Sequence, residues 1–270
     1  MADDDDELEL TRYQKKIAEL IKATPRPGQA AARSAIIHVQ KAWKLRSSDP
    51  EMAAFRVITG MEEASTAVFH ALRRRGYARA SVLDRYKHVH KWGLTAFFEA
   101  VAKMFHELDP PLEPHCEVRE RDGVECVLFR FKVPGRDQVG YPIPPLNIVM
   151  TGADGKPVNF QRQLSAVASA RKFKDIRKYV DDLANFRNTI LYANEQGVPK
   201  AEGGTTRFIL RNRDNIFRTL SVFLMIDPYP QKQPFVQHCL DAFLPIITKL
   251  KPDPAKADPL TGPPPDPLDK

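Results

Sequence analysis

The chain has 270 residues, 43% hydrophobic and 28% charged, with a net charge of +7. That size supports one large domain or two small ones, with a core that needs no disulfide or metal staples. No apolar run approaches the roughly 18 residues that a membrane span requires, and the start, Asp3-Asp4-Asp5-Asp6, is the opposite of a basic signal-peptide region. A soluble, cytoplasmic protein with no membrane partner is expected. Charge is unevenly placed: residues 1–10 carry six acids and no base, and residues 251–270 carry four acids and three bases, so residues 11–250 hold about +14. A body that basic attracts polyanions, nucleic acid first among them, or simply keeps the surface solvated.

An amphipathic helix is predicted over about 7–23 (Leu8, Tyr13, Ile17, Leu20 and Ile21 on one side) and is stopped by Thr24-Pro-Arg-Pro-Gly28. A second runs from about 29 to 46 through Ala32, Ile36, Val39 and Trp43. Asp49 then supplies an N-cap, Pro50 the first helical position and Glu51 a first-turn acid. Two long helices follow, about 50–75 and 77–108, joined near Gly76. Gly60 lowers helix propensity by about 1 kcal/mol relative to Ala, which marks a close helix–helix approach. The first long helix carries Glu62-Glu63; the second carries Arg85-Tyr-Lys-His-Val-His-Lys91.

Asp109-Pro-Pro closes the helical block. Residues 116–133 alternate as two strands around Asp122-Gly123, a hairpin signal. Further extended segments are predicted at 146–151 and 158–160, so an antiparallel sheet occupies an insertion at about 115–161. Helix returns over about 164–194, then an extended piece at 206–210, then helices at about 212–225 and 232–250, the last with Pro245 inside it. Residues 251–270 hold seven prolines and few apolar side chains and read as a disordered tail, like residues 1–6. The fold class is therefore mainly α, a single helical domain over 7–250 with a small antiparallel β insertion.

Cys116, Cys126 and Cys239 show no metal spacing; they are free thiols, or Cys116 and Cys126 face each other across the hairpin. Phosphate loops, nucleophile elbows and zinc motifs are missing from the sequence, so neither a metal nor a cofactor is expected. Chemistry is concentrated in basic clusters. Arg85 and His90 stand five apart, about 140° around a continuous helix, and meet on one phosphate only if the helix begins or distorts there. Arg85 and His88, three apart, share a face. An Arg can hold a phosphodiester while a His moves the 2′-hydroxyl proton near neutral pH; the same residues also make an ordinary solvated face. Glu62-Glu63 either pairs with Arg85 across the helix hairpin or is an ordinary exposed acidic pair on a long helix. Arg73, Arg74, Arg75 and Arg79, with Lys87, His88 and Lys91, and Arg171, Lys172 and Lys174 form candidate phosphate-binding clusters, or helix C-termini dressed with cations.

A Glu-Glu-Ala helix after small residues (Gly60–Ala64), a following helix with His90-Lys91, and a later Arg187-Asn-Thr-Ile-Leu-Tyr-Ala193 together resemble the HEPN superfamily, in particular the AbiV-type abortive-infection branch. The resemblance implies a helical bundle, often a homodimer, and in many members a metal-independent RNase of a toxin or phage-defence system with a cognate antitoxin or defence partner. It places Arg187 and Asn188 at the start of the catalytic signature, with Tyr192 where a His belongs. Tyrosine, with a pKa near 10, is a poor general base at pH 7, so His88 or His90 would supply the imidazole, with Arg85 holding a phosphate and Glu63 beside it. A non-catalytic helical scaffold is the alternative.

Overall fold

A computed structural model describes residues 7–108, 111–132, 138–149 and 204–248, together with Gln161. These form a mainly helical fold with a small antiparallel sheet: helices α1 (Arg12–Lys22), α2 (Gly28–Leu45), α3 (Pro50–Arg74), α4 (His88–His106), α5 (Thr205–Ile226) and α6 (Pro234–Thr248), and strands β1 (His115–Arg121), β2 (Val124–Lys132) and β3 (Val139–Gly140). Among the described residues no helix is long and apolar enough to cross a membrane. The helix predicted at 164–194, the strand at 158–160 and both tails lie outside the described residues.

Two helix starts follow their side chains. Thr11 and Gln14 form a reciprocal capping box on α1, and Asp49 caps α3 by accepting from the Met52 amide at 2.9 Å, with Pro50 at the first helical position. The short link between α2 and α3 makes them an antiparallel pair. At Gly60 a Cβ would stand 3.1 Å from Ala35 O and from Ile216 Cδ1, so the glycine lets α2, α3 and α5 approach closely. Arg74 pairs with Asp227 further along, and together with the Gly60–Ile216 approach this sets α3 and α5 parallel. Opposite them α4 and α6 run antiparallel, with Phe97 on Phe243 and Phe105 on Phe235 at 5.2 and 5.3 Å between ring centroids. The sheet leans on the end of this pair through Phe129, 5.8 Å from Phe105.

Four boundaries differ from the sequence reading. The second long helix does not start at 77. Gly76 at φ 67° ends α3, with Tyr77 N–H donating to Leu72 O and Gly76 N–H to Arg73 O, the paired bonds of a Schellman stop. The chain then loops back through a 3₁₀ turn (Ala80–Val82) before α4 begins at His88. Residues 206–210 are helical, not extended: Ile209 is fully buried, so packing of α5 overrides the β preference of Thr, Phe and Ile. The third strand is Val139–Gly140, paired with β2 at Phe131 and Lys132; of the strand expected at 146–151, residues 146–149 are described and lie outside the sheet, the Leu146 amide donating instead to Gln233 Oε1 at 2.6 Å. The first helix starts at Arg12, five residues later than expected. The hairpin itself falls where predicted, with Asp122 and Gly123 both at positive φ, the backbone that a two-residue type I′ turn needs. Cys116 stands opposite Phe129 and Cys126 opposite Arg119, and all three cysteines are free thiols.

Replacing Gly60 with Leu forces a side chain into the α2–α3–α5 contact. Overpacking of this kind costs about 1–3 kcal/mol, so the thermal midpoint of G60L should fall by several degrees. An unchanged midpoint would contradict the close approach.

Candidate functional site

Glu62 lies in the middle of α3 and is 5% exposed. A buried carboxylate must be neutralised and hydrogen-bonded, and the first turn of α4 does both. His88 Nδ1 stands 2.6 Å from Glu62 Oε1, Lys91 Nζ donates to Oε2 at 2.9 Å, and Trp92 Nε1 donates to Oε1 at 3.2 Å. His88, Lys91 and Trp92 are spaced i, i+3 and i+4, so a single face of α4 presents all three to the carboxylate. Ser65 Oγ, 3.0 Å from Lys91 O and 3.1 Å from Met61 O, ties the same turn to α3. Lys91 and Trp92 are buried with Glu62, whereas His88 is half-exposed.

The carboxylate decides how His88 is protonated. It can only accept, so the proton sits on Nδ1, and proton transfer by the neutral ring would run through the lone pair of Nε2. This is a carboxylate-oriented imidazole at the edge of the fold. His90, two residues on, is the reverse. It is 4% exposed, and its Nδ1 accepts from the Asp84 amide at 2.9 Å, which places its proton on Nε2. Burial lowers its pKa, with the charge of Lys87 adding to the effect and Asp84 opposing it. His90 thus holds the return loop against the start of α4.

Arg85 precedes the helix rather than lying in it. It does not reach the Glu62-Glu63 pair: Arg85 donates to Tyr86 Oη at 2.7 Å and lies over that ring at 4.8 Å from its centroid. Tyr86 is itself 75% exposed. The charge of Arg85 is felt by His70 on α3, whose pKa is lowered first by burial, then by Arg85 and Arg73. Glu63 turns to a half-buried site where desolvation raises its pKa, Lys91 lowers it and Glu62 raises it.

The Arg73–Arg75 run serves the fold. Arg73 donates to the carbonyls of Ala80, Ser81 and Leu83 and so clamps the return loop. Arg74 pairs with the Asp227 carboxylate, Nε to Oδ1 at 2.9 Å, and Arg75 donates to the Asp227 carbonyl. Lys87 is exposed and Arg79, at φ 64°, is half-buried. Arg187, Asn188, Tyr192, Arg171, Lys172 and Lys174 lie outside the described residues. Among the described residues no group of three or more His, Cys, Asp or Glu is placed to hold a metal ion. The sequence pattern pairs Glu62 with Arg85 and gives Trp92 no role; the signal for the true partners is the i, i+3, i+4 spacing of His88, Lys91 and Trp92 opposite an acid in an otherwise apolar seam.

No protein-family model, curated protein or solved structure matches this chain. Its site is read from its own chemistry.

The histidine environments predict a pH response. An unfolded imidazole takes up a proton near pH 6.5, while His90 in the fold resists protonation until lower pH. As pH falls below about 6.5 the unfolded chain binds more protons, so stability drops. His90→Asn keeps an acceptor for the Asp84 amide and removes the titration. The loss of urea midpoint between pH 7.5 and 5.5 should be smaller in H90N than in the native chain; an equal loss would contradict the buried neutral imidazole.

Proposed function

We propose that the chain is an RNA-binding protein of HEPN-like type that cleaves RNA without a metal, and that His88, oriented by Glu62, is its proton carrier. The observation that carries this reading is the Glu62–His88 pair at 2.6 Å, a half-exposed imidazole fixed by a buried carboxylate and flanked by Arg85 and Lys87. A single-stranded RNA brings its own nucleophile, the 2′-hydroxyl. Cleavage needs a group that takes that proton, a group that returns one to the leaving oxygen, and cations for the charge that develops on the phosphate. His88 Nε2 suits the first task, because Glu62 occupies the Nδ1 side of the ring. Arg85 suits the last, with Arg187 as the second cation that the HEPN resemblance brings. The excess positive charge of residues 11–250 supports a polyanionic substrate. His90 is less suited to the role than His88, since its Nδ1 is committed to the Asp84 amide inside the fold.

The test is incubation of the full chain with single-stranded RNA in chelator. Cleavage should persist, fall by about 100-fold or more in His88→Ala, as loss of a general base does, fall likewise in Arg187→Ala, and remain near native in His90→Asn. Binding should weaken with salt at a slope of about −0.7 per phosphate contacted. Intact RNA at excess protein, or native rates in H88A, would overturn the reading and leave a helical scaffold that lacks the reaction.

A further inference from the structure

Between the α3–α5 pair and the α4–α6 pair lies a half-open cavity of about 490 Å³. Close-packed interiors leave few voids larger than a water molecule, and this one is about three times the ~150 Å³ that takes up benzene. It falls in the range of small-molecule sites. Its wall is mainly apolar, with Phe69, Phe97, Phe217 and Phe243 among the side chains that form it.

One end of the cavity is polar. Tyr13 Oη and Ser221 Oγ are hydrogen-bonded at 2.7 Å, and beside them stand Cys116, Asp214 and Arg218. Asp214 is already neutralised: Arg213 Nη2 lies 3.0 Å from its Oδ1, and Gln14 donates to the same oxygen at 3.0 Å. Arg218 donates to the neutral amide of Asn215 at 3.2 Å, and its charge is felt at Cys116, where it opposes the rise in thiol pKa that burial causes. A long apolar chamber with a guanidinium at a hydroxyl-lined end matches one class of ligand in shape and charge.

We propose that this cavity binds a single-chain amphiphile with an anionic head, such as a medium-chain fatty carboxylate. The chain lies among the phenylalanines, and the carboxylate is at Arg218, within reach of Tyr13 and Ser221. The site is separate from the Glu62–His88 edge and does not depend on it.

A fluorescent dansyl-undecanoate bound to the full chain provides the readout, with displacement by dodecanoate or by dodecanol. Dodecanoate should displace the probe at least tenfold better than dodecanol. Arg218→Ala, an exposed position whose loss leaves the core intact, should abolish that preference while dodecanol binding stays. Val222→Trp, which fills the chamber from its partly buried wall, should lower affinity for both ligands at unchanged helicity. Absence of probe binding, equal displacement by the two ligands, or a carboxylate preference that survives in R218A would each overturn the proposal.

Discussion

The Glu62 carboxylate sits where the chain most needs a reason to fold one way. Buried in α3, it is stable only because α4 brings an ammonium, an indole N–H and an imidazole to it. Removing one partner of a buried ion pair costs about 3–5 kcal/mol, because the other charge is left without compensation. That magnitude exceeds what any exposed pair in the molecule contributes, so the register of α4 on α3 is set by this cluster. Everything else about the site follows from that register: His88 stands at the rim, His90 turns inward, and Arg85 is left on the loop.

The loop from Gly76 to Lys87 carries the consequence outward. Because α3 ends at a Schellman stop and α4 must begin beside Glu62, the intervening chain has to travel back along α3. Arg73 takes up three of its carbonyls and His90 one of its amides. Tyr77 and Ala78 are fastened to Gln233 and Gln237 at the start of α6. The basic run Arg73–Arg75 thus ties α3 both to the return loop and to the end of α5.

The fold was legible in the sequence where local signals agreed with packing. Asp49-Pro50-Glu51 and Asp122-Gly123 announced their cap and turn, and Gly60 announced a close approach. Legibility failed where a stop signal had two continuations. In sequence Gly76 reads as a joint between two helices, whereas its positive φ and the buried acid upstream require a return loop. It failed again at 206–210, where β-branched and aromatic residues belong to a helix because Ile209 is needed in the core. At the site, the acid, the imidazoles and the cations were all visible, but their pairing was not. Because α4 begins only at His88, Arg85 lies on the loop before it, and Lys91 and His88 take the place beside Glu62 that the sequence pattern offers to Arg85.

The central claim is that Glu62 fixes the proton of His88 on Nδ1 while the Asp84 amide fixes that of His90 on Nε2. Nitrogen-15 correlation spectra of the histidine rings at pH 8 test it directly, since the two tautomers have different ring shifts. The account predicts opposite tautomers for these two residues. An Nε2-protonated His88, matching His90, would contradict it.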